Sequence, residues 1–157
     1  MLLNLEQESM TATELLNQIQ SIFALNAQEM SRICGLGGAQ VAESQFSSAG
    51  TLTDARWCTD SVAIQFLNGF ITECRGPSDK SPPLEDQLTN NLIFRKLKIA
   101  LGLEADDLLQ MLADVEVVLS KHELSALFRK ADNKHYRACS DKLLMAFLAS
   151  VKANHYG

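Results

Sequence analysis

The same apolar pattern occurs twice along this chain. A shift of 78 residues lays Leu25 on Leu103 and Ala27 on Ala105, and sets Ile19, Phe23, Met30 and Ile33 opposite Leu97, Leu101, Leu108 and Met111. A shift of 81, as though the second copy had gained three residues in between, lays Cys58 on Cys139, Asp60 on Asp141, Phe66 on Phe147 and Leu67 on Leu148. All three prolines fall between the copies, in Gly76-Pro77-Ser78-Asp79-Lys80-Ser81-Pro82-Pro83. Proline fixes φ and removes a backbone donor, so this stretch reads as a connection. The chain is therefore read as a diverged tandem duplication: a first repeat over 11–75, a Pro-rich linker over 76–89 and a second repeat over 90–153.

Within each copy the apolar spacing is helical. The second copy repeats Ile93, Leu97, Ala100 and Leu101, then Leu108, Met111 and Leu112, then Leu124, Leu127 and Phe128, then Leu143, Leu144, Phe147, Leu148 and Val151. The first answers with Leu15, Ile19, Ile22 and Phe23, a short helix holding Met30 and Ile33, a weaker one around Val41 and Phe46, and Val62, Phe66, Leu67 and Phe70. An all-α fold of two tandem four-helix repeats, eight helices in all, follows as the expectation. Capping signals agree: Thr11 with Glu14, Asn26 with Glu29, and Ser120 with Glu123 have the spacing at which cap and glutamate satisfy each other's amides. Thr59 and Ser140 stand where the last helix of each copy should start, each followed by an aspartate suited to the positive end of the helix dipole. Glycines 35, 50, 76 and 102 stand where helices should end.

Charge divides unevenly between the halves. Residues 1–78 hold three basic and eight acidic side chains, whereas residues 79–157 hold 11 of each. An acidic front half argues against general nucleic-acid binding but leaves room for a local basic patch behind it. With 46% hydrophobic residues over 157 positions the chain can build a core. No apolar run reaches the ~18 residues of a membrane span, and MLLNLEQESM lacks the basic end and cleavage site of a secretion signal. A cytoplasmic protein with reduced thiols and no membrane partner is expected, since Cys34, Cys58, Cys74 and Cys139 form no C-x-x-C pair.

The stretch NNLIFRKLKIALGLEADDLLQML, followed by SKHELSALFRKADNKHYRACSDKLLMAFL, resembles a YehS-like family of small bacterial proteins whose function is unknown. CTDSVAIQFLNGFITECRG echoes it in the first copy. The resemblance implies two similar domains joined by a short linker. Asn90 and Asn91, the run Phe128 to Lys130, Tyr136, and Cys139 with Asp141 match the family pattern. Ser140 and Thr59 depart from it where a glycine commonly follows the cysteine, and the first copy lacks the basic and tyrosine positions. The family supplies no catalytic residues to carry over.

The most distinctive chemistry lies in FRKADNKHYRACSDK, residues 128–142, where Arg129, Lys130, Lys134, Arg137 and Lys142 outnumber two aspartates. Such cations can neutralise an anionic partner, while His135 and Tyr136 offer flat faces on which a base could stack. A second basic group, Arg95, Lys96 and Lys98, lies on the first helix of the second copy, opposite the neutral Asn17, Gln18 and Gln20 of the first. The candidate binding residues are therefore Arg95, Lys98, Arg129, Lys130, Lys134, His135, Tyr136 and Arg137. A helix-turn-helix over Ala105 to Ala131 is disfavoured because seven residues separate its helices where three or four are usual.

Other chemistries fare worse. His135, Cys139, Asp141 and His122 lack the paired spacing of a metal site, and neither metal nor cofactor is expected. Gly35, Gly37 and Gly38 in GLGGAQ read as a helix end and turn, without the context of a phosphate loop. Cys58 and Cys139 read as small packing residues at equivalent points of the repeated core. No nucleophile elbow is present and all histidines lie in the second half, so an enzyme is not expected. The expectation is a noncatalytic regulatory or adaptor module whose partner is another protein, with RNA or DNA as the alternative and a homodimer possible in principle.

Overall fold

The computed structural model describes residues 9–46, 56–82 and 85–154; Gly50 and Pro83 lie outside them. Among the described residues the chain forms seven α-helices: α1 (Ala12–Ile22), α2 (Ala27–Leu36), α3 (Asp60–Arg75), α4 (Asn90–Leu101), α5 (Ala105–Asp114), α6 (Lys121–Ala126) and α7 (Asp141–Ala153). The repeat correspondence pairs α1 with α4, α2 with α5, and α3 with α7. The eighth helix expected around Val41 and Phe46 is instead a single 3-10 turn, Glu43–Gln45, whose three residues are all exposed. Its three residues put no side chain into the core, which is reached instead by the extended Phe46 that follows them, so nothing in the turn favours a longer helix.

Caps explain where the helices begin. Both hydrogen bonds of the capping box form at Thr11, Asn26 and Ser120, and the hydroxyls of Thr59 and Ser140 accept the backbone N–H groups of Val62 and Leu143. The side-chain oxygen of Thr89 does the same for Leu92 in α4. Each such cap contributes about 1 kcal/mol to its helix. Gly76 and Gly102 close α3 and α4 as expected, whereas α2 runs past Gly35 and closes at Gly37.

The duplication is written most plainly in the turns that follow α1, α2, α4 and α5. Leu25 N–H donates to Gln20 O and Leu103 N–H to Lys98 O, both at 3.0 Å, and each pair maps onto the other at the same shift. Ala39 N–H to Cys34 O at 2.9 Å and Val117 N–H to Leu112 O at 2.8 Å form a second matched set. Each closure requires a residue with positive φ just before the donor. The four are Ala24 (53°) with Gly102 (65°), and Gly38 (97°) with Glu116 (66°). In each pair one repeat supplies glycine and the other a residue whose Cβ is strained there. Ala24→Gly and Glu116→Gly should each stabilise the protein by roughly 0.5–1 kcal/mol, the left-handed penalty less glycine's entropy cost. A urea midpoint that rises at unchanged slope would establish this; a midpoint that falls for both would refute it.

The repeats pack on one another. Apolar residues of both enter one buried cluster, with Leu15, Leu16, Ile19, Phe66 and Leu67 from the first and Phe94, Leu97, Leu144, Phe147 and Leu148 from the second. Helices α3 and α4 touch, and so do α1 and α7. Exchanging the two repeats turns the first contact into the second, as rotation about a two-fold axis would. The segments entering α1 and α4 also meet: Met10 N–H donates to Asn90 Oδ1 at 2.7 Å and Ser9 Oγ to Leu88 O at 3.1 Å.

Candidate functional site

Residues 127–140 join α6 to α7, and their backbone is held at both ends. Arg137 N–H donates to Ala126 O at 3.1 Å, closing the segment into a loop. Asn91, 8% exposed on α4, donates its two amide protons to Leu127 O at 2.9 Å and Arg137 O at 2.8 Å. Its Oδ1 accepts Cys139 N–H at 2.9 Å. The neighbouring Asn90, fully buried, donates to Cys139 O at 3.1 Å and Asp141 Oδ1 at 2.6 Å. Buried amides with these partners are fixed in direction, because any loss would strand polar atoms out of water.

The tip of the loop is shaped by its own sequence. Asn133 N–H reaches Lys130 O at 2.9 Å, His135 N–H reaches Asn133 Oδ1 at 2.8 Å and Tyr136 N–H reaches Asn133 O at 3.0 Å. Asparagine is suited to such turns because its side chain can imitate the backbone. The base of the loop rests on α4 through Phe128, whose ring meets Phe94 edge-on at 5.4 Å, and Phe94 in turn stacks on Phe147 at 4.5 Å.

Arg129, Lys130, Lys134 and His135 are brought together here, all exposed. Lys98 joins them from α4, with its Nζ 5.7 Å from the centre of the Phe128 ring. Arg129 Nη2 lies 3.4 Å from Ser125 Oγ, and the His122 and His135 rings stand edge to face at 6.4 Å. Other candidates are partly committed. Arg95 points to Glu85 at 2.9 Å, and Arg137 lies 3.6 Å from Glu123. Tyr136 is half-buried, and burial pushes its phenol above the ordinary range, so it does not offer the open stacking face expected of it. Lys96 is corrected outright: it is 4% exposed, 2.7 Å from Asn68 Oδ1 and 2.9 Å from Glu85 Oε1, and takes no part in any surface.

Sequence reasoning placed the cations but gave the paired asparagines no role. The available signal was position. With Thr89 already serving as the cap, asparagines at the first two places of α4 are poor helix formers without a local task. Cys58 and Cys139, read as packing residues, are buried, and so is Cys34. Burial pushes the Cys34 thiol up to about 12 and raises that of Cys58, against a hydrogen bond from Thr13 that lowers it.

A family described as "Protein of unknown function (DUF1456)" matches residues 14–76 and again 90–156. The "Uncharacterized protein YehS" of Escherichia coli (strain K12) is 32% identical over 152 residues, covering 94% of this chain and 97% of that protein. No solved structure matches. No helix among the described residues is long and apolar enough to cross a membrane.

Proposed function

The chain belongs to the DUF1456 family of proteins of unknown function, and we propose that it acts in the cytoplasm as a noncatalytic regulatory or adaptor module that docks an acidic protein partner through the basic loop of its second repeat. The observation that carries this reading is that Arg129, Lys130 and Lys134 project from a loop whose ends are fixed by buried hydrogen bonds. Side chains presented from a preformed backbone lose less freedom on binding than those on a loose tail. Among the described residues the first repeat carries two open hollows of about 490 and 370 Å³, lined by Ser31, Gln40, Gln45, Trp57, Gln65 and small or apolar residues.

Single-stranded nucleic acid is the second reading, favoured by His135 exposed among the same cations. The partial burial of Tyr136 and the commitment of Arg95 and Arg137 to carboxylates weigh against it. Titrating the protein with poly-L-glutamate, and with single- and double-stranded RNA and DNA, at low and near-physiological salt separates the readings. A Lys130, Lys134 and Arg137 triple-alanine variant serves as the control. Binding of poly-L-glutamate that the variant loses at least about 10-fold supports the adaptor. Tighter binding of a single-stranded oligonucleotide, falling steeply with salt, would put nucleic acid first. Binding of neither probe at low salt removes the loop as a docking site.

A further inference from the structure

We propose that Asn91 is the positioning residue of the basic loop, holding its two ends at the spacing in which Arg129, Lys130 and Lys134 meet an anionic partner. This rests on the binding reading above. One planar carboxamide reaches the carbonyls of Leu127 and Arg137, at the entry and exit of the loop, and receives the amide of Cys139 beside them. Removing it would leave three backbone groups without this partner and the loop mouth held by Arg137 N–H on Ala126 O and Asn90 on Cys139 O, a looser closure, while the Phe128 anchor on α4 stayed in place.

The first repeat supplies an internal comparison. Thr13 stands where Asn91 stands in the second, at the shift that superposes α1 on α4. A hydroxyl has a single proton and cannot bridge two carbonyls. The stretch between Phe46 and Thr59, which corresponds to the basic loop, carries one arginine and one aspartate. A two-carbonyl clamp and a cluster of cations therefore occur together in the second repeat, whereas in the first Thr13 hydrogen-bonds Cys58, the counterpart of Cys139, beside a stretch of sequence with a single cation. That is the distribution expected if the clamp serves the cations, whereas a purely architectural amide would be needed equally in both copies.

Asn91→Thr installs the residue that the first repeat carries at this place, and Asn91→Ser is a second variant should the first fail to fold. Amide hydrogen exchange at Asn133, Tyr136 and Arg137 is expected to accelerate at least about 10-fold in either, with α1 and α3 unchanged. Affinity for poly-L-glutamate at low salt should fall about 10-fold at an unchanged salt slope. Lys130→Ala should instead reduce the slope and leave exchange alone. Unchanged exchange, or wild-type affinity in a variant whose loop exchanges faster, overturns the positioning role. If the loop exchanges faster but the wild-type protein binds neither poly-L-glutamate nor an oligonucleotide, the binding reading itself has failed, and the proposal with it.

Discussion

Gly69→Ala is expected to destabilise the protein by roughly 3 kcal/mol, at the upper end of overpacking penalties, even after the ~1 kcal/mol that alanine gains inside a helix. Gly69 lies in α3 where it crosses α2, and a Cβ there would overlap the carbonyl oxygen of Ile33 and approach Gly37 N to 2.9 Å. Gly37 is confined in the same way by the backbone of Gln65. The obstacles are backbone atoms of packed helices, which cannot turn aside as a flexible side chain would. The second repeat shows the crossing solved differently: Ser150, at the place of Gly69, donates its hydroxyl to Met111 O at 3.0 Å, and Met111 corresponds to Ile33. There the helices stand far enough apart to admit a side chain. Gly35→Ala is the control, since nothing lies within 4 Å of a Cβ at that helical position and alanine should be neutral or slightly stabilising. For a chain of this size the Gly69 loss corresponds to about 10 °C in melting temperature. A Gly69→Ala protein melting within about 2 °C of wild type would disprove the close crossing.

What the sequence reveals here is what recurs with a period, and what it hides is what depends on a single contact across the fold. The apolar spacing of Ile93 to Val151 follows the helices of the second repeat except at Leu127 and Phe128, which lie past the end of α6, and the cap residues Thr11, Asn26, Thr59, Ser120 and Ser140 mark five helix starts, because both signals act within a turn or two. Around Val41 and Phe46 the pattern misleads. Two apolar residues five positions apart are also what an extended loop folded over a core displays, and only Phe46 becomes buried. Gly69 reads in sequence as one weak helix former in an otherwise good helix, and its partner Ile33 is 36 positions away. Asn91 is similar, with partners 36, 46 and 48 positions along the chain. The cations of the loop were legible as a cluster because they are neighbours in sequence. That their loop is clamped was not legible, because the clamp belongs to another helix.

Glu85→Ala is expected to cost about 2–3 kcal/mol, although a glutamate in a Pro-rich linker would ordinarily be replaceable. Its carboxylate stands 2.9 Å from Lys96 Nζ, and the lysine side chain is 5% exposed where α4 meets α3. Removing the carboxylate leaves that ammonium with Asn68 Oδ1, at 2.7 Å, as its remaining named partner in a region water scarcely enters. The expected loss lies below the usual figure for breaking a buried ion pair because Glu85, 15% exposed, itself still touches solvent. Lys96→Met should behave in the opposite way. Methionine fills a similar volume without a charge to desolvate, Glu85 keeps Arg95 at 2.9 Å, and half-buried Asn68 can turn to water. This variant is expected within about 1 kcal/mol of wild type, and adding it to Glu85→Ala should recover most of the loss, the non-additivity that marks two groups acting on each other. Urea unfolding of the four proteins decides the matter: losses that add in the double variant would mean that the pair is not coupled. Because Lys96 points into the contact between the repeats, Lys96→Met should also leave poly-L-glutamate binding at its wild-type value, separating the lysine that joins the two halves from those that face a partner.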